Sequence, residues 1–236
     1  LSIRRQRQMC IRDSLQLHAG FTLDDAALHA AYYAALGVSH LYLSPITQAR
    51  AGSTHGYDVI DHGRVNSDLG GEAALHRLAA AARAQGLGLI ADIVPNHMAA
   101  HVSNGWWFDV LRHGERSAYS RHFDIDWRAP DPALRGKVLL PVLPEPYGAC
   151  LESGGMALTH DTRSGYAITV AGQRYPVAQA PQDDGVSPAQ VCAAHAANTP
   201  QGRQRLHHLL ERQHYRLAWW TTVSYTHLTL PTNREV

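Results

Sequence analysis

A chain of 236 residues with 45% hydrophobic and 17% charged residues carries enough apolar surface for a globular core and lacks the composition of a disordered polymer. Its 21 Lys and Arg against 20 Asp and Glu leave a formal charge of +1, which gives no electrostatic basis for binding nucleic acid or an anionic membrane and points to a neutral partner. Three widely separated cysteines, Cys10, Cys150 and Cys192, exclude a disulfide framework or a CxxC zinc site, and no apolar run approaches the roughly 20 residues of a membrane helix.

The amino terminus, LSIRRQRQMCIRDS, is basic without the apolar segment of a secretory signal, so a cytoplasmic location is expected. Residues 1–14 and 223–236 continue no period of their neighbours; both resemble translated adapter tails from assembled metagenomic reads and are expected to be non-native. From Leu15 the signals alternate: an apolar run LQLH, a helix over 22–37, a strand VSHLYLS, a long loop, a second helix over 70–86 and a strand LGLIADIV. That is a βαβαβ rhythm. Thr22 is the expected N-cap of the first helix, with Asp24 and Asp25 in its first turn and Gly37 at its end. Leu23, Ala26, Ala27, Ala30 and Ala34 form one face; Leu75, Leu78, Ala79 and Ala82 form the inward face of the second helix, which Gly86 closes. The strands have the continuous apolar character of parallel strands covered on both sides. The loop SPITQARAGSTHGYDVIDHGRVNSDLGG far exceeds the usual roughly 2 to 6 residues of such connections, which marks it as functional.

Beyond Asn104 the rhythm breaks. A short aromatic helix, NGWWFDVLRHG, precedes FDIDW and a proline-marked stretch, and then come strand-like runs MALTH, GYAITV and QRYPV separated by turn residues. Residues 123–181 are expected to be a small β-rich insertion. Residues 182–222 are read as a helical segment, with Leu206, Leu209, Leu210, Leu217 and Trp220 near one stripe.

The apolar strand LIADIVPNH turns polar at its carboxyl end, where Asp92, Asn96 and His97 crowd into six residues. Side chains at that end of parallel strands converge on one face, which Ser44 and Pro45 share after the preceding strand. The loop motif STHGYDVIDH brings His55, Tyr57, Asp58 and Asp61 within reach. Carboxylates, an imidazole and an aromatic face in a neutral protein suit a sugar, whose hydroxyls take paired hydrogen bonds while its CH face stacks on tyrosine.

DIVPNH and HGYDVID resemble two signatures of the α-amylase family of glycoside hydrolases. LHAGFTLDDA, DPALRGKVLLPVLPEPYG and QHYRLAWW resemble the members of that family that convert the reducing-end α-1,4 linkage of a maltooligosaccharide into an α,α-1,1 linkage by intramolecular transglycosylation. The resemblance implies an α/β fold comprising part of a (β/α)8 TIM barrel, about its first three strands over residues 15–122, with the β-rich insertion following strand three. It implies a maltooligosaccharide partner and no cofactor. Tyr57 would stack on the sugar before the scissile bond and His97 would hydrogen-bond its hydroxymethyl or neighbouring hydroxyl, while Asp58, Asp92, Asn96 and His55 would line or brace the site. In this family the nucleophile stands in a Gly-x-Arg-x-Asp-His context on strand four, a motif absent here, so no catalytic residue is assigned and the chain is expected to be inactive alone. Another α-amylase-family glucan hydrolase and a non-catalytic carbohydrate-binding protein are the alternatives.

Other signals read as structure. Asp61 is expected to stabilise a turn, and Trp106 and Trp107 to anchor a helix in the core. Asp124 and Asp126 form a strand-edge turn rather than a calcium site. His207, His208 and His214 sit on a solvated helix face without zinc-site pairing, so no metal is assigned. No phosphate loop, GxSxG elbow or Rossmann fingerprint is present.

Overall fold

The structure is a computed structural model that describes residues 12–181 and 185–221. These fall into two compact units that divide between Ala99 and Ala100. The terminal stretches 1–11 and 222–236, where most of the two expected tails lie, are outside the described residues. Among the described residues no helix is long and apolar enough to cross a membrane.

The first unit opens with strand β1 (Arg12–Leu15), followed by helices α1 (Leu23–Leu28) and α2 (Ala30–Ala35). Strands β2 (His40–Leu43), β3 (Thr47–Ala49) and β4 (Val59–Val65) lead to helix α3 (Gly71–Ala84) and strand β5 (Gly88–Ala91). β1, β2 and β5 make a parallel sheet in the order β1-β2-β5, with Leu15 beside Leu43 and Leu43 beside Ala91. The first strand therefore ends where LQLH was expected to begin. Leu17 N–H is drawn off to Ser44 Oγ at 2.9 Å, and His18 and Phe21 exchange backbone bonds in a tight turn.

Thr22 caps α1 in a reciprocal box with Asp25. The single helix expected over 22–37 breaks at His29: its Nδ1 lies 2.8 Å from the Asp25 carbonyl, the group its own N–H would take in a continuing helix, and that N–H bonds Ala26 O instead. Leu23, Ala26 and Ala30 are buried with Leu41, Leu43, Ala74, Leu78 and Ala82 in one core, and Ala27, Ala34 and Leu75 pack at its margin. Each fully buried leucine contributes about 1.5–3 kcal/mol. The sheet is not covered throughout, since no residue of β5 is fully buried and Ala91 is exposed.

The long loop after β2 is a hairpin: β3 and β4 pair antiparallel, with register irregularities at both steps. Its base is pinned by buried Gln48, whose Nε2 donates to Asn66 Oδ1 at 3.1 Å while its Oε1 accepts from Ser67 N at 3.1 Å. Satisfied polar groups of this kind hold a long connection in one conformation.

The second unit contains helix α4 (Gly105–His113), strand β6 (Val138–Leu143), helix α5 (Tyr147–Glu152) and strands β7 (Met156–Asp161), β8 (Gly165–Val170) and β9 (Gln173–Pro176). Helices α6 (Pro188–Ala194) and α7 (Pro200–Glu211) and strand β10 (Tyr215–Trp219) complete it. β7-β8-β9 form an antiparallel sheet, and β6 pairs parallel with β10. The helix expected to continue through Trp220 stops at Glu211, so Leu217 lies on a strand and His214 precedes it, neither on a helix face. Leu206, Leu209 and Leu210 do form the buried stripe of α7. Trp107 is buried edge-on to Phe123, and Trp106 stacks on Tyr119 with ring centroids 5.1 Å apart.

Candidate functional site

Parallel pairing places the carboxyl ends of β2 and β5 at one edge of the sheet, and Asp92 N–H donates to Leu43 O at 2.9 Å, so Asp92 emerges beside Ser44. Ser44 itself is buried, and its hydroxyl serves the backbone of Leu17. The β3–β4 loop returns over this edge. Gly56 makes that return possible: its φ is +81° and a Cβ there would stand 2.6 Å from Pro45 O, so only glycine fits without displacement.

Tyr57 Oη donates to Asp92 Oδ2 at 2.6 Å, linking the loop to the strand end across 35 residues of sequence. That hydrogen bond, together with some burial and the Asp92 charge, raises the phenol pKa above its ordinary value. His97 Nε2 lies 3.1 Å from Tyr57 O and its Nδ1 lies 3.1 Å from Asn96 Oδ1. With Nε2–H donated to the Tyr57 carbonyl, a neutral ring presents Nδ1 as an acceptor, which Asn96 meets once its amide NH2 is turned toward it. His55 stacks on Tyr57 with centroids 6.0 Å apart, and its Nδ1 accepts from Tyr57 N at 3.0 Å.

Asp58 faces inward along the loop, where its Oδ1 accepts from Ser53 Oγ at 2.5 Å and its backbone carbonyl accepts from Arg50 N. Asp61 accepts from Gly63 N at 2.8 Å and pairs with Arg64, a local turn outside the cluster. Five of the six candidates, His55, Tyr57, Asp92, Asn96 and His97, thus form one connected group, and Asp58 braces the loop that carries it. Ser53 escaped the sequence reading. Its hydroxyl holds both Asp58 and Gly56 N, and a serine three residues ahead of a loop glycine was the available signal.

The group can offer a hydroxylated ring one aromatic face, 42% exposed at Tyr57, and a rim of carboxylate, amide and imidazole. Both His97 ring nitrogens already have protein partners, so direct contact with a sugar hydroxyl requires one of those contacts to be exchanged.

The alpha-amylase catalytic-domain model matches residues 22–145, more than half of the chain and a span that includes all six candidates. A maltooligosyl trehalose synthase of Mycobacterium tuberculosis (strain H37Rv) is 41% identical over 203 residues, which is 85% of this chain and 22% of that protein. A crystal structure of a maltooligosyl trehalose synthase superposes with a TM-score of 0.74 at 34% identity over 90% of this chain and 25% of its own. The maltooligosyltrehalose synthase from Arthrobacter ramosus gives 0.72 at 34% identity, covering 96% of this chain and 26% of its own. The chain spans about a quarter of the length of these relatives. It belongs to the alpha-amylase family, whose catalytic domain it matches.

Proposed function

We propose that this chain supplies the opening part of the catalytic barrel of a maltooligosyltrehalose synthase, an enzyme that moves the reducing-end glucose of a maltooligosaccharide from an α-1,4 to an α,α-1,1 linkage. In this reading β1, β2 and β5 are the first three barrel strands, and a β-rich insertion centred on β7-β8-β9 follows the third. Tyr57 is the platform on which a glucose ring stacks. His97 and Asn96 address its hydroxyls, Asp92 fixes the Tyr57 ring through its hydroxyl, and His55 and Asp58 hold the loop in place.

The observation that carries the reading is the Tyr57–Asp92–His97 junction, where a loop aromatic is clamped over the polar end of a parallel strand. The likeness to synthases over most of the chain selects this chemistry within the family. Retaining glycosidase chemistry needs two carboxyl groups about 5 to 5.5 Å apart, and the Gly-x-Arg-x-Asp-His segment expected to provide one of them is not in this sequence.

The test is a chimera in which residues 15–221 replace the matching stretch of a maltooligosyltrehalose synthase, assayed on maltopentaose. Loss of reducing ends without release of glucose is expected, and His97→Ala or Tyr57→Ala should lower turnover by about 100-fold, the usual cost of misplacing a substrate ring. A chimera that generates reducing ends instead is a glucan hydrolase, and one whose turnover ignores both substitutions has its sugar site elsewhere.

A further inference from the structure

The second unit holds a cavity of about 420 Å³ that none of the six residues discussed above lines. Its size falls within the roughly 300–1,000 Å³ of small-molecule sites. One wall is α4, whose Phe108 and Arg112 stand four residues apart and so share a helix face. The other is the β7-β8-β9 sheet, which contributes Asp161, Tyr166, Gln173 and Arg174. Tyr166 is held edge-on against His160 with centroids 4.8 Å apart, which fixes the ring's orientation.

We infer that this cavity is a second saccharide-binding site, taking a short segment of neutral α-glucan with Phe108 and Tyr166 as ring platforms and Arg112, Gln173 and Asp161 as its hydrogen-bonding rim. The choice of a neutral α-glucan rests on the function proposed above, and the lining supplies a rim that suits its hydroxyls. A sugar hydroxyl both donates and accepts, and this rim offers guanidinium and amide donors alongside carboxylate and amide acceptors. A hydroxyl would find an acceptor in the Asp161 carboxylate, which hydrogen bonds from the Ser164 and Arg163 backbone keep ionised to below the usual range. Arg174 is held beside the turn that carries Asp161, its guanidinium donating to Ser164 Oγ at 3.3 Å. A purely apolar ligand would strip water from these charges without replacing its hydrogen bonds. Arg112 is exposed on α4 where it lines the cavity.

Hydrogen exchange on the 236-residue chain, with and without maltopentaose and separately with inorganic phosphate, tests the assignment. Maltopentaose is expected to protect residues 101–112 and 161–177, and phosphate to leave them unchanged. Arg112→Gln, on an exposed helix position, and Tyr166→Ala should each weaken that protection by at least about tenfold in ligand concentration, the loss of a charged hydrogen bond or a stacking face. Exchange in the unliganded variants reports whether each still folds. Protection confined to 53–58 and 92–97 would overturn the second site and leave the proposed function standing. Protection of the cavity alone would keep the second site and remove the sugar-binding role of the Tyr57 cluster. Equal protection by phosphate makes this an anion site and defeats the assignment, and protection nowhere defeats both.

Discussion

The hydrogen bond from Tyr57 to Asp92 stabilises the neutral phenol against its anion, so the folded-state pKa stands above the unfolded one. The stabilisation from this contact is therefore complete below about pH 10 and is lost as pH rises through the raised value. The 10 tyrosines overlap in absorbance, but the difference between the parent and Tyr57→Phe isolates this one. In an Asp92→Asn background, the same difference is expected to titrate at lower pH, because the principal cause of the shift is gone. An unchanged midpoint would show that the carboxylate does not hold the phenol. The residues of this contact were legible in the sequence as two motifs, HGYDVID and DIVPNH. Their junction was not, because it depends on the register of β2 against β5 and on a left-handed turn at Gly56, neither of which local pattern encodes.

At the scale of elements, the stretch QGRQRLHHLLERQHYRLAWW contains two structures where its leucine spacing suggests one. Leu206, Leu209 and Leu210 follow the helical period, but Tyr215 and Leu217 are buried on either side of partly exposed Arg216, a strand's alternation. Gln213 makes the switch: its Nε2 donates to Leu209 O at 2.6 Å, and its Oε1 accepts from Ala178 N at 2.8 Å. A polar side chain that ends a helix by reaching a segment 35 residues away leaves no local signature. The βαβαβ order and the helix faces around Leu23 and Leu78 were readable because apolar periodicity reports burial directly, whereas the β3–β4 hairpin depends on the distant pair Gln48 and Asn66. His214 immediately precedes β10 with its ring against Gly114, whose added Cβ would meet Nδ1 at 2.6 Å. Burial chiefly, then the charges of Arg116, His113 and Lys137, lower its pKa, while a hydrogen bond with the Gly136 backbone opposes them. The unfolded chain thus binds this proton more readily, so the contribution is present above about pH 6.5 and is lost as pH falls through the depressed folded value. Thermal melts of the parent across that range should decline toward acid, and His214→Gln should flatten the decline. An identical slope in both would assign the acid sensitivity to other groups.

At the scale of the molecule, three parallel strands cannot close a barrel, which requires eight strands with matched tilt and shear. Among the described residues β5 pairs with β2 alone and so is an edge strand of its sheet, followed by exposed Ile93. The cluster proposed to face the sugar therefore stands at the margin of this sheet, and among the described residues no strand beyond β5 brings it a nucleophile and an acid. Glycosyl transfer with retention needs both groups on opposite sides of the anomeric carbon, and a binding surface alone lowers no barrier in the chemical step. The 236-residue chain incubated with maltopentaose is expected to leave the number of reducing ends unchanged and to form no trehalosyl product, even where hydrogen exchange reports that the sugar is bound. Formation of a trehalosyl end by the purified chain would mean that a carboxyl pair within these residues, with Asp92 the first to substitute, performs the chemistry without the strand-four signature.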